Sequence, residues 1–315
     1  MIELDHVSHD FGAFRAVEDL TLQVAEGEFL VLMGASGSGK STVLRLMNRL
    51  LEPSSGTIRV AGEDVSHSPP EALRRRMGYV IQGGGLFPHW TVERNIATVP
   101  ALLGWPRMRI ADRVSELLDL LRLDAGRLRR AYPHMLSGGQ QQRVGVARAL
   151  AAHPTVLLMD EPFGALDPVT RAELQAEMRR IHEETRTTIV FVTHDMDEAV
   201  NLASRIALID AGRLVQAGTP LELLTRPAND FVRGFVGSKD LGLKVLSQRR
   251  AADWLRRGES AAGAPIPGDT SLRAALSEMV TRGTDRLPVA DGAGRPAGAL
   301  LMADLLRPAS PDVTP

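Results

Sequence analysis

The sequence contains no cysteine. Disulfides, thiolate nucleophiles and thiolate metal sites are therefore excluded, and the composition suits a reducing compartment. Lysine is almost absent as well: Lys40, Lys239 and Lys244 are the three lysines among 37 basic residues. A bias towards arginine, such as a GC-rich genome produces, accounts for this. It also sets Lys40 apart, because arginine serves a generic positive surface position equally well. No apolar run approaches the roughly 20 residues of a membrane helix. The opening stretch Met1-Ile2-Glu3-Leu4-Asp5-His6-Val7 alternates like a strand and lacks the apolar core of a leader peptide. If such a chain serves a membrane, it is expected to do so from the surface. Net charge is -1, so no overall positive field argues for nucleic acid as a partner. No repeat at a fixed period is visible.

What is present is an ordinary globular balance, 44% hydrophobic and 24% charged over 315 residues, a length that suits two domains. Residues 1–236 alternate short apolar runs with amphipathic stretches. Phe29–Met33, Val156–Met159 and Thr188–Val192 are continuous apolar runs, each followed by a helical pattern. That order predicts parallel strands covered on both faces, an α/β fold. Between about 86 and 150 only helical periodicity appears, as at Val114, Leu117, Leu118 and Leu121, which predicts a helical subdomain beside the sheet. Residues 237–268 read as a linker, most clearly in the Gly/Ala/Pro-rich stretch 258–268. Residues 269–308 read as a small helix–strand–turn–strand–helix unit, too short to hold a good core by itself, and 309–315 as a tail.

Gly34-Ala35-Ser36-Gly37-Ser38-Gly39-Lys40-Ser41 fits the pattern G-x-x-x-x-G-K-[ST], with an apolar strand before it and the helix of Val43, Leu44, Leu46 and Met47 after it. Glycines allow backbone N–H groups to turn towards phosphate oxygens, and the helix start adds partial positive charge. Lys40 is placed to reach the β- and γ-phosphates, and the Ser41 hydroxyl to take a Mg²⁺ position. The chance frequency is about one chain in a hundred on typical residue usage, and the strand–helix setting lowers it further.

Asp160 and Glu161 close the strand that begins at Val156. Ligands of open α/β sheets gather at the carboxyl ends of strands. Asp160 is thus expected to hold Mg²⁺, and Glu161 to orient and deprotonate an attacking water. His194 follows the next apolar strand and suits a hydrogen bond to a γ-phosphate or to the water. Gln82 follows Tyr79-Val80-Ile81 at another strand end, where it would sense the metal or the water. Asp167-Pro168 reads as a helix cap with proline at the first helical position, a role compatible with a functional one. Phe11 is either a core residue or a platform for stacking on adenine.

Leu136-Ser137-Gly138-Gly139-Gln140-Gln141-Gln142-Arg143 resembles the signature sequence of the ABC ATPases, and the other elements follow in that family's order: Phe11, the phosphate loop, Gln82, the signature, Asp160-Glu161, Ala165-Leu166-Asp167 and His194. The resemblance covers residues 1–236. It implies a P-loop NTPase core, with ATP and Mg²⁺ as ligands and hydrolysis of ATP as the activity. It implies nucleotide contacts from Phe11, Gly34, Ser36, Gly37, Gly39, Lys40, Ser41 and Thr42, with Ser137, Gly138, Gly139, Gln140 and Asp167 acting across a dimer. Metal contacts fall to Ser41, Gln82 and Asp160, and catalysis to Glu161, His194, Lys40 and Gln82. Two such subunits, as a homodimer or paired with another ATPase subunit, sandwich two ATP molecules and drive a transmembrane permease from the cytoplasmic face of the inner membrane.

Within the family the chain resembles importer ATPases for quaternary amines such as glycine betaine, choline and carnitine. That likeness rests on Met47-Asn48-Arg49-Leu50, Gly78–Gln82, Gly85–His89, Ala101–Trp105, Gly145–Leu150 and His194–Ala199. It implies an extracytoplasmic substrate-binding protein as an indirect partner. Gly83-Gly84-Gly85 and Met135 depart from that subfamily, which usually carries a second glutamine directly after the one at Gln82, then an aliphatic residue, and a glutamate just before the signature, where Met135 stands. These departures bear on coupling to the permease and leave the ATP chemistry untouched. The rival classes are an exporter ATPase, an importer for another small solute, and a non-transport ABC protein. The last usually carries two cassettes or a long coiled-coil insertion, and only 97 positions separate Lys40 from Ser137, with no long heptad run between them.

Residues 269–308 resemble one CBS motif, in the stretch Asp285–Asp291 through Gly298 to Asp304-Leu305. Leu301 stands where the family usually has Thr or Ser, three residues before Asp304. The sequence therefore favours a packing or dimerisation unit over an adenine-nucleotide site. Arg249, Arg250, Arg256 and Arg257 surround Trp254, an arrangement that reads either as a solvated helix with a packed tryptophan or as a surface for anionic lipid.

Overall fold

A computed structural model of the chain describes residues 1–305 except Gln82, Gly84, Ala165, Ser238 and Lys239. The chain divides into two units, Met1–Ala217 and the residues from Gly218 onwards.

In the first unit the strands are β1 (Ile2–Phe11), β2 (Phe14–Val24), β3 (Phe29–Met33), β4 (Ser55–Val60), β5 (Glu63–Asp64), β6 (Met77–Val80), β7 (Val156–Asp160), β8 (Thr188–Val192), β9 (Arg205–Asp210) and β10 (Arg213–Gly218). They form two sheets. One has the order β2-β1-β4-β5, antiparallel throughout. The other has the order β10-β9-β3-β8-β7-β6, with β6 to β9 and β3 all parallel. In β3, β7 and β8 every residue is buried, as continuous apolar runs require of parallel strands covered on both faces. In β1 the burial alternates at Ile2 and Leu4 with Glu3 and Asp5 exposed, the pattern of a sheet with one wet face.

The helices of this unit are α1 (Lys40–Met47), α2 (Pro70–Arg75), α3 (Val92–Ile96), α4 (Thr98–Leu102), α5 (Arg107–Leu120), α6 (Ala125–Leu128), α7 (Gly138–Leu150), α8 (Pro168–Thr185) and α9 (Met196–Leu202). One core joins Leu4, Val7 and Leu20 of the antiparallel sheet with Leu30, Leu158 and Val190 of the parallel sheet. Val43, Leu44, Leu46 and Met47 of α1 fill it from the phosphate-loop side. Full burial of such side chains is worth about 1.5–3 kcal/mol each, so the loop before α1 rests on a rigid base. Residues 92–150 contain only helices, around Val114, Leu117, Leu118 and Val144. Buried Arg113 of α5 donates to the carbonyls of Leu150 at 2.9 Å and Ala151 at 3.2 Å. It thereby satisfies acceptors at the end of α7 that no helical N–H can reach.

The second unit holds α10 (Pro220–Thr225), α11 (Asp230–Val236), α12 (Leu241–Ser247), β11 (Ile266–Pro267), α13 (Leu272–Arg282), β12 (Arg286–Ala290), β13 (Pro296–Leu301) and α14 (Met302–Leu305). Its sheet runs β11-β12-β13, with Ile266, Leu272, Met279, Leu287, Val289 and Leu300 in the core.

Two boundaries differ from those read in the sequence. The division falls at 217/218, before the expected edge at 236, because α10 and α11 belong with the later helices. Residues 237–268, read as a linker, instead contribute α12, a 3-10 turn at Ala251–Asp253, and β11, which pairs in parallel with β12. Ala251 and Ile266 are core residues there. Trp254 packs on that core, and the Arg249 guanidinium lies 4.9 Å from its ring centre. The Gly/Ala/Pro composition hid these elements because the pairing partners lie beyond it in the chain. The expected tail, 309–315, lies outside the described residues.

Candidate active site at the carboxyl edge of the parallel sheet

The loop between β3 and α1 has a backbone that only glycine supports. Gly34, Gly37 and Gly39 have φ of +151°, +78° and +101°. A β-carbon on Gly39 would stand 2.4 Å from the Ala16 carbonyl oxygen, so β2 presses directly on the loop. No side chain caps the start of α1, which leaves its first N–H groups to an outside acceptor. Ala35, Ser36 and Gly37 are exposed, Thr42 is half-buried, and Lys40 is 5% exposed. The Lys40 ammonium donates to the carbonyls of Gly34 at 2.9 Å and Ala35 at 2.7 Å and to Ser38 Oγ at 3.3 Å. Burial pulls its pKa below the ordinary lysine value, against the opposing charges of Glu161 and Asp160. An exposed loop backbone at an uncapped helix start, with a buried cation at its base, fits a chain of phosphates.

Asp160 ends β7 and is 6% exposed. Its Oδ1 accepts a 2.8 Å hydrogen bond from Ser41 Oγ. Burial pushes the carboxyl above its usual range, while the Ser41 bond, Arg45 and Lys40 act the other way. Among the described residues no cluster of three or more His, Asp or Glu side chains could hold a metal. A cation at Ser41 and Asp160 would have to complete its shell with water and phosphate oxygens. Hard oxygen donors in that number suit Mg²⁺, which keeps several waters and takes one or two carboxylates.

Glu161, the next residue, has φ +43° and donates its N–H to the Val192 carbonyl at 3.1 Å. His194, just past β8, is exposed and places Nδ1 3.4 Å from Glu161 Oε1. Thr193, Asp195 and Glu198 surround it: Thr193 Oγ1 donates to Glu198 Oε2 at 2.6 Å and accepts the Asp195 N–H at 3.0 Å. Glu198 is 4% exposed, and burial raises its pKa.

Phe11 is 47% exposed at the tip of the β1–β2 hairpin, edge-on to His9 at 4.5 Å between ring centres. It is therefore no core residue. Ser137 caps α7: its Oγ accepts the Gln140 N–H at 3.3 Å, and Gln140 Oε1 accepts the Ser137 N–H at 2.9 Å. Gln140 is thus the second half of a capping box. Ser137 and Gly138 are exposed, whereas Gly139 is buried; a β-carbon on it would meet Thr170 Cγ2 of α8 at 2.4 Å. Asp167 caps α8, accepting N–H groups of Val169 and Thr170 at 3.1 Å each. The Thr170 bonds hold its carboxyl below the usual range. Gln82 lies outside the described residues.

The structure therefore gathers Gly34, Lys40, Ser41, Asp160, Glu161 and His194 at the ends of β3, β7 and β8. Ser137–Gln140 and Asp167 stand at the starts of α7 and α8. Arg171, Thr193 and Glu198 carry no site role in the sequence reading; Glu198 lies within the matched stretch His194–Ala199, and the approach of Arg171 to it from α8, at 3.8 Å, is a tertiary contact that no spacing states. Of the two departures, Gly85 has its carbonyl held by Arg148 at 2.8 Å, and Met135 is exposed. In the second unit Asp304 is buried, and its carboxylate takes two hydrogen bonds from Arg256, at 2.9 and 2.7 Å.

Comparison with known proteins places this arrangement. Residues 17–164 match the family model "ABC transporter", and residues 264–309 match "CBS domain". The chain is 60% identical over 306 residues to the glycine betaine uptake system ATP-binding protein YehX of Escherichia coli K12, covering 97% of this chain and 99% of that one. It is 46% identical over 292 residues to the glycine betaine/carnitine/choline transport ATP-binding protein OpuCA of Bacillus subtilis, covering 92% of this chain and 76% of that one. Among solved structures, the dimeric post-hydrolysis ATP-binding cassette MJ0796 bound to ADP and Pi superposes with a TM-score of 0.63. The two are 32% identical, over 70% of this chain and 99% of that one.

Proposed function

Because the chain belongs to the ABC transporter family as an ATP-binding subunit, we propose that it hydrolyses ATP to drive import of glycine betaine and related quaternary amines through a membrane permease. The observation that carries the chemistry is the hydrogen bond from Ser41 to Asp160, which joins the phosphate loop to the acidic strand end. The substrate class rests on the end-to-end likeness to YehX, which includes the second unit. Among the described residues no helix is long and apolar enough to cross a membrane. That suits a subunit attached to a permease on its cytoplasmic side, with a substrate-binding protein beyond the membrane.

In this reading the amides of Gly34–Ser41 and the Lys40 ammonium bind the β- and γ-phosphates of ATP. Lys40 exchanges its loop carbonyls for phosphate oxygens, a stronger, charge-assisted bond. Phe11 offers an exposed ring to adenine, and Ser36 and Thr42 line the phosphate path. Ser41, Asp160 and Gln82 would hold Mg²⁺, which when bound neutralises charge developing on the phosphate oxygens. Glu161 takes the proton of the attacking water, and His194 holds the γ-phosphate side of that water in line. Ser137, Gly138 and Gly139 open α7, with Ser137 and Gly138 exposed, a site for the γ-phosphate bound by a second subunit. Asp167 stands beside it at the start of α8. Two subunits then close on two ATP molecules and part after hydrolysis, a two-state cycle biased by the γ-phosphate.

Light scattering on a sizing column tests this, with and without ATP, on wild type and Glu161→Gln. A dimer that needs ATP and persists in Glu161→Gln is the expected result. A monomer in every condition, in a wild type that also releases no phosphate, would sink the reading. Co-purification with a permease and a quaternary-amine-binding protein tests the substrate class.

A further inference from the structure

We propose that Arg171, in the first turn of α8, is a positioning residue for hydrolysis: its guanidinium ties the Leu166 carbonyl to the acids of the His194 loop and so fixes where the His194 ring stands. The inference rests on the ATPase reading above and adds a residue that no motif marks.

The geometry is a three-way bridge. Arg171 Nη2 donates to the Leu166 carbonyl at 3.2 Å. Nη1 lies 3.6 Å from Asp195 Oδ2, and Nε lies 3.8 Å from Glu198 Oε1. Asp195 in turn caps α9, with Oδ1 accepting the N–H groups of Asp197 at 2.8 Å and Glu198 at 3.2 Å. Glu198 holds the Thr193 hydroxyl, and that hydroxyl holds the Asp195 N–H. The residues on both sides of His194 are therefore fixed by side chains that converge on one guanidinium. Leu166 belongs to the turn that leads from Glu161 to Asp167, so the same guanidinium spans the two segments that carry the acid and the histidine.

The bridge also has slack. Nε of Arg171 is buried and has no hydrogen-bond partner, and both ion pairs are longer than a hydrogen bond. A buried donor without an acceptor is unfavourable. A small movement of the His194 loop towards α8 therefore closes two charge-assisted bonds at once. A planar fork serves three acceptors in this way, and the point charge of lysine does not. Thr170, the neighbouring residue, lies against Gly139 of the signature helix, so the same helical turn borders both.

The test is steady-state ATP hydrolysis by the full chain in wild type, Arg171→Gln, Arg171→Lys and Arg171→Gln/Glu198→Gln, with thermal melting of each. Misplacing a reacting group is costly, so kcat is expected to fall about tenfold or more in Arg171→Gln and in Arg171→Lys. The KM for ATP should stay within about twofold, because the Gly34–Ser41 cradle is untouched. Adding Glu198→Gln removes the orphaned carboxylate and should restore the melting temperature without restoring kcat. Wild-type kcat in the double variant would overturn the proposal, since Arg171 would then only neutralise Glu198. If Arg171→Gln fails to fold, Arg171→Lys decides: reduced kcat at an unchanged melting temperature supports the bridge, and full kcat overturns it. A wild type that hydrolyses no ATP would instead sink the ATPase reading itself.

Discussion

The Ser41 hydroxyl donates to Asp160 Oδ1 at 2.8 Å across 119 positions of sequence. The bond joins the first turn of α1 to the end of β7, and it places two hard oxygens side by side. Asp160→Asn should lower phosphate release by about 10²–10³-fold, since a bound metal supplies several kcal/mol of charge stabilisation. The same variant should melt no lower than wild type at neutral pH without nucleotide. Burial raises the Asp160 pKa, so its ionised form is a cost that the amide removes. A large loss of stability without loss of activity would contradict both halves.

Glu198 gives a pH signature. Its folded-state pKa is raised by burial, despite the Thr193 bond and the Arg171 charge. The stability this contributes is full below the unfolded glutamate range and is lost as pH rises through the folded value. Relative to Glu198→Gln, wild type should therefore gain stability on acidification from neutral pH. Urea midpoints of the two proteins, measured from about pH 4 to 8, should differ most at the alkaline end. Parallel curves would remove the case for a raised pKa.

The two signature glycines should respond differently to one methyl group. Gly139→Ala drives a β-carbon to within 2.4 Å of Thr170 Cγ2 and should cost about 1–3 kcal/mol by overpacking. Thr170→Ser, which deletes that methyl, should return much of it. A β-carbon on Gly138 meets nothing within 4 Å. Gly138→Ala should therefore melt like wild type and weaken only the ATP-dependent dimer. Thermal melts and sizing columns on the four proteins decide it.

Arg256→Ala leaves the carboxylate of buried Asp304 without its two-bond partner. The arginine is 40% exposed, so solvent screens part of the loss and the second unit is expected to loosen without unfolding. Hydrogen exchange should rise in residues 249–305 and stay unchanged around Lys40 and Asp160. Replacing both partners with leucine should cost less than the single change. Uniform loosening of both units would refute a local effect.

The sequence made the parallel strands legible because buried strands read as unbroken apolar runs, as at Phe29–Met33 and Thr188–Val192. The phosphate loop and the Ser137–Gln140 turn were legible because glycine is forced at fixed spacings. The antiparallel sheet was only half visible: β1 alternates, but its partners β2 and β4 are held by register, which no local pattern states. The segment 237–268 looked like a linker because β11 has two residues, and its partner strand begins 19 positions later at Arg286. Arg171 was invisible for a different reason. In a chain with 37 basic residues, nearly all arginine, nothing local distinguishes an arginine whose acidic partners lie on another loop.

Glu161 sits on a left-handed backbone, φ +43°, a conformation that costs a non-glycine residue about 1–2 kcal/mol. Its carboxylate is therefore aimed by the main chain, with the amide tied to Val192, before any side-chain torsion is chosen. An elbow of that kind separates direction from charge. Exchanging the acid for its amide alters what the group does to a proton and leaves where it points unchanged. The fold thus carries its own shutter: a single oxygen-for-nitrogen exchange should arrest the cycle with every other part in place, and so offer the loaded state for direct observation.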